Sequence, residues 1–165
     1  MWNLFIIAFM VAVAICDLRS RKIPKILTVS GFFVGLIFQW FNGNALSALG
    51  TALLGFVVGL ALFLLGAIGG GDVKLICALG AMLGFAPWAR AMQLAIFIAA
   101  GTAVIQAIRH RAVRQTLENM RSIIAALFTS GWKQHPTIHV NNSSLIRSPF
   151  GLSAAIGTVI VIWKP

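Results

Sequence analysis

Six long apolar runs decide what this chain can fold into. They cover residues 2–16, 26–40, 45–66, 75–88, 91–108 and 152–163. A helix needs about 20 apolar residues to cross the hydrocarbon of a bilayer, so the shorter runs must borrow residues at their ends or sit where the bilayer thins. Little polar surface remains between them. Charged residues make up 10% of the 165, against about 25% in a typical soluble domain. The expected architecture is an all-α integral membrane protein, with about six transmembrane helices in one membrane-embedded domain over 1–165. Trp2, Trp40, Trp88 and Trp163 fall at predicted span ends, where indole rings favour the membrane interface.

The first run lacks the marks of a cleaved signal. No Lys or Arg precedes Arg19, and Val13 and Ile15 are not the small residues a cleavage site needs. It reads as a retained helix. The charge balance is lopsided, with 13 Lys and Arg against 3 Asp and Glu. In a soluble protein this would point to nucleic acid, but membrane topology also sorts basic residues. With segment 17–25 in the cytoplasm and the sides alternating, the inside holds Arg19, Arg21, Lys22, Lys25, Lys74, Arg109, Arg111, Arg114, Arg121, Lys133 and Arg147. The outside holds only Arg90 and Lys164. The positive charge is thus a topology signal, no nucleic-acid partner is expected, and both termini face outward.

Segment 109–149 is the one sizeable polar stretch. In it Val113, Leu117, Met120, Ile124, Leu127 and Phe128 recur at helical spacing. That pattern predicts a cytoplasmic amphipathic helix whose basic face meets anionic lipid. Glu118 sits between Arg114 and Arg121 at ion-pairing distances along that helix. His135 and His139 have ligand-like spacing, but Pro136 lies between them and no Cys or carboxylate stands near in sequence, so no metal is expected. Cys16 and Cys77 form no CxxC and lie in apolar stretches. They read as small buried side chains.

With Glu118 set aside, only Asp17 and Asp72 remain as carboxylates. Carboxylates beside membrane spans are costly, and function is their default reading. Asp17 closes the first span, where the helix dipole disfavours a negative charge; the bland alternative pairs it with Arg19 or Arg21. Asp72 ends Gly69-Gly70-Gly71-Asp72; the bland alternative makes it an N-cap. Three glycines in a row imply unusual dihedrals or close approach, as in a broken helix lining a wet cavity. The alternating topology brings both aspartates to the cytoplasmic face. Two carboxylates at one depth share a water and a proton, one acting as general base and the other polarising a carbonyl.

Asp17-Leu18-Arg19-x-Arg21-x-Ile23-Pro24 and Gly69-x-Gly71-Asp72-x-Lys74-Leu75 resemble the two signature motifs of the type IV prepilin peptidases, membrane aspartyl proteases of the GxGD class. A third stretch, Ser148-Pro149-Phe150-Gly151-Leu152-Ser153-Ala154-Ala155-x-Gly157, resembles the family's C-terminal motif. The chain departs from the family pattern at Lys25, where Asn is common, and at Leu152, where a second proline is common.

The resemblance implies a peptidase domain that cleaves the basic leader from prepilins or pseudopilins at the cytoplasmic face of the inner membrane, without a cofactor. It makes Asp17 and Asp72 the catalytic pair and Gly69, Gly70 and Gly71 the loop that shapes the site. Lys74 is a motif residue without an assigned role, and its bland reading is a snorkelling charge. The paired CxxC motifs of bifunctional members are missing, so the chain resembles a small protease-only member without the N-methyltransferase domain. Two alternatives stay open: an archaeal preflagellin-type peptidase, and a small proton-coupled transporter using the same carboxylates. The sequence leaves the oligomeric state undetermined.

Overall fold

The computed structural model describes residues 1–20, 23–64, 68–109 and 150–163. The predicted amphipathic helix, Glu118, His135 and His139 lie outside these residues, as does Arg21. Six helices are described: α1 (Trp2–Ser20), α2 (Lys25–Phe41), α3 (Ala45–Leu64), α4 (Gly70–Leu83), α5 (Phe85–Arg109) and α6 (Phe150–Trp163). Three of them, α1, α3 and α5, are long and apolar enough to cross a membrane; α2 and α6 are shorter apolar helices. Outward-facing Phe33, Ile37, Leu53, Phe97 and Ile105 are exposed, as expected where the surroundings are hydrocarbon rather than water.

The helices form two groups. α4 packs between α2 and α3, while α6 packs between α1 and α5. Small residues set the close approaches. A Cβ on Gly80 would lie 2.8 Å from the Thr51 carbonyl oxygen and 2.9 Å from the Ala52 backbone, and Gly55 and Gly59 face Ile76 and Val73 in the same antiparallel register. Lipid tails are as apolar as Leu, so helices in a membrane associate through such backbone proximity rather than through a hydrophobic drive. Side chains from both groups share one core, in which Ile6, Met10 and Val13 of α1 meet Leu75, Leu79 and Met82 of α4. Phe9 against Gly31, and Trp2 stacked on Phe38 at 3.7 Å, join α1 to α2.

Two sequence expectations are corrected here. The boundary between the fourth and fifth runs lies at Gly84 rather than after Trp88, because Gly84 takes φ +69° and ends α4, a conformation glycine adopts without a Cβ penalty. Pro87 then falls in the first turn of α5, where its missing N–H does no harm. Trp88 therefore sits inside a helix and is 7% exposed. Its indole N–H donates to the Ile76 carbonyl at 3.1 Å, so Trp88 ties α5 to α4 instead of resting at an interface. Trp40 and Trp163 are exposed at helix ends, as the sequence suggested. Cys16 and Cys77 are half-buried free thiols.

Candidate active site

Asp17 and Asp72 come from the two different helix groups, and Asp17 lies near enough for its charge to act on the Asp72 carboxyl. α1 continues to Ser20, so Asp17 lies in its last turn rather than at its end. The side chain is 6% exposed and turns toward the start of α6. There the Leu152 N–H donates to Asp17 Oδ2 at 3.3 Å. The first N–H groups of a helix have no intrahelical acceptor, and they stand at the positive end of its dipole. Arg19, offered above as a surface partner, is exposed.

Asp72 stands ahead of the apolar run that begins at residue 75. The N-cap of α4 is Gly69, and Asp72 is the third helical residue, not the cap. Its Oδ2 accepts the Gly69 N–H at 3.0 Å, which is the carboxylate half of a capping box. Burial raises the Asp72 carboxyl to about 6; the Gly69 hydrogen bond opposes this and the nearby Asp17 charge adds to it. Asp72 therefore keeps its proton to a higher pH than an ordinary carboxyl does.

The three glycines adopt no unusual dihedrals, contrary to half of the expectation. Gly69 is extended, Gly70 and Gly71 open α4, and none of them has a positive φ. A Cβ on Gly70 would find only Phe63, at 3.7 Å, and one on Gly71 would lie 3.7 Å from Ile23. These are ordinary contact distances, whereas a Cβ on Gly69 would lie 3.3 Å from Asp72 Oδ2, a closer approach. Lys74 is exposed.

A tighter approach lies at the start of α6. A Cβ on Gly151 would stand 2.8 Å from Asp17 Oδ2 and 3.1 Å from its Cβ and Cγ. Sequence reading placed Gly151 in a motif without giving it a role. Its one available signal was a glycine in the first turn of an apolar helix. An acid holding a proton beside a second buried carboxylate is the equipment for activating a water against a carbonyl.

A model of the type IV leader peptidase family matches residues 4–104. The match takes in both aspartates and ends before α6 begins. Comparison with curated proteins and with solved structures found no match.

Proposed function

Because the chain belongs to the type IV leader peptidase family, we propose that it is an aspartic endopeptidase removing the basic leader from prepilin or pseudopilin precursors at the cytoplasmic membrane face. The observation that supports this reading is that two aspartates from different helix groups lie near enough for the Asp17 charge to act on Asp72, whose carboxyl burial already raises to about 6.

In this reading a water lies between the two carboxyl groups. Asp17 takes a proton from it, and the hydroxide so formed attacks the scissile carbonyl carbon. Asp72 gives its proton to the carbonyl oxygen, so the tetrahedral intermediate is a neutral diol. On collapse, Asp17 returns its proton to the leaving nitrogen and Asp72 recovers one from a diol hydroxyl. The C–N bond breaks, and the dyad ends as it began. No nucleophilic side chain takes part.

The orientation follows from the basic residues, which place segment 17–25 in the cytoplasm. A basic leader gains no attraction from an enzyme face already rich in Lys and Arg. We assign that attraction to anionic lipid headgroups, with the apolar pilin helix lying beside the spans.

The test is co-expression with a prepilin, reading leader removal by gel shift and mass. Asp17→Asn and Asp72→Asn should each lower cleavage by about 10²- to 10⁴-fold while accumulating in membranes as the wild type does. Normal cleavage by either variant ends the dyad reading.

A further inference from the structure

We infer that the first turn of α6 sets the working position of Asp17, with Gly151 as a positioning residue. The activity arm of the test below rests on the dyad reading above; the stability arm does not.

Asp17 lies in the last turn of α1, where its own helix offers it the negative end of a dipole. The start of α6 opposes that with an N–H donor at 3.3 Å. For the donor to reach, the α6 backbone must come close enough that no side chain fits between. Gly151 meets that condition, since a Cβ there would lie 2.8–3.1 Å from three atoms of Asp17. Asp17 is almost fully enclosed and has little room to turn aside.

Nor can α6 retreat. Six residues along, a Cβ on Gly157 would lie 2.8 Å from the Ala91 carbonyl oxygen and 3.0 Å from the Ala95 nitrogen on α5. Backbone meets backbone there, with no flexible side chain to yield. The last helix is wedged between α1 and α5, so a methyl group at 151 has to displace the carboxylate. The location of Asp17 is then a property of α6 as much as of α1.

A double-mutant cycle tests the contact without any substrate. Wild type, Gly151→Ala, Asp17→Ala and the double variant are purified in detergent and unfolded thermally. Gly151→Ala should lower the Tm of the wild type, and most of that loss should vanish in the Asp17→Ala background, where Cγ and both oxygens are gone. If Gly151→Ala fails to accumulate alone but accumulates when combined with Asp17→Ala, the contact is equally supported. Equal losses in both backgrounds, or failure of both to accumulate, overturn it.

Cleavage kinetics test the positioning. Gly151→Ala should lower kcat by about ten- to a hundredfold with KM nearly unchanged, as for a misplaced reacting group. A loss confined to KM, or an unchanged kcat, overturns the inference even if Asp17→Asn is inactive.

Discussion

Ile23 and Gly71 face each other: a Cβ on Gly71 would lie 3.7 Å from the Ile23 Cβ. This contact brings the chain just after α1 against the first turn of α4. Two segments separated by two whole helices in the sequence become neighbours, and each carries one of the aspartates.

That spacing leaves room for a methyl group and no more. Gly71→Ala should change unfolding stability by no more than about 0.5 kcal/mol. Gly71→Phe should cost more than about 1 kcal/mol, since the ring must push Ile23 away. Thermal unfolding in detergent measures both, and a large loss from the alanine alone would contradict the ordinary contact distances around Gly71.

The proposed acid role of Asp72 predicts that cleavage depends on pH. Its carboxyl is raised from 3.8 to about 6 by burial, against the Gly69 hydrogen bond and with help from Asp17. The folded protein therefore holds this proton where the unfolded chain has lost it. Its contribution to stability is complete below pH 3.8 and is lost as pH rises through about 6. Cleavage should fall over the same upper range, as Asp72 loses the proton meant for the carbonyl oxygen. Leader removal by reconstituted enzyme, followed from pH 5 to 8, checks this. A rate that climbs steadily to pH 8 would exclude Asp72 as the acid.

Leader charge offers a test of substrate approach. Replacing the basic residues of a prepilin leader with acidic ones should slow processing in vesicles containing anionic lipid. The effect should shrink in vesicles of neutral lipid, where no surface potential acts. Equal processing in both vesicle types would remove lipid from the recognition step.

The α3–α4 contact predicts opposite effects for one substitution at two glycines. Gly80→Ala places a methyl against the Thr51 and Ala52 backbone and should cost roughly 1–3 kcal/mol, outweighing the gain in helix propensity. Gly50 has nothing within 4 Å of a Cβ, so Gly50→Ala should stabilise by up to about 1 kcal/mol. Unfolding of the two variants side by side would reverse the packing assignment if the order were inverted.

Much of the fold was legible because apolar runs are local. Burial in hydrocarbon, helix length and glycine or proline punctuation all act within a window of about 20 residues. Asp17 and Asp72 stood out for a related reason, since a carboxylate beside an apolar run is costly wherever the run packs. The misread boundary at residues 84–90 has the opposite cause. Pattern alone cannot say that Gly84 takes a positive φ or that the Trp88 indole reaches the Ile76 carbonyl.

The sequence by itself determined an all-helical chain with long apolar helices, and it singled out the two aspartates. Tertiary structure decided which backbone approaches are tight. It gave Gly70 and Gly71, which the sequence made conspicuous, only ordinary contacts, and put a tight contact with Asp17 at Gly151, which the sequence did not mark. The reason is physical: a glycine marks only the absence of a side chain. Whether that absence is filled by a neighbour depends on a helix more than a hundred residues away along the chain. The donor to Asp17 is a main-chain N–H, a group every residue but proline carries, so only the packing of α6 on α1 could reveal it.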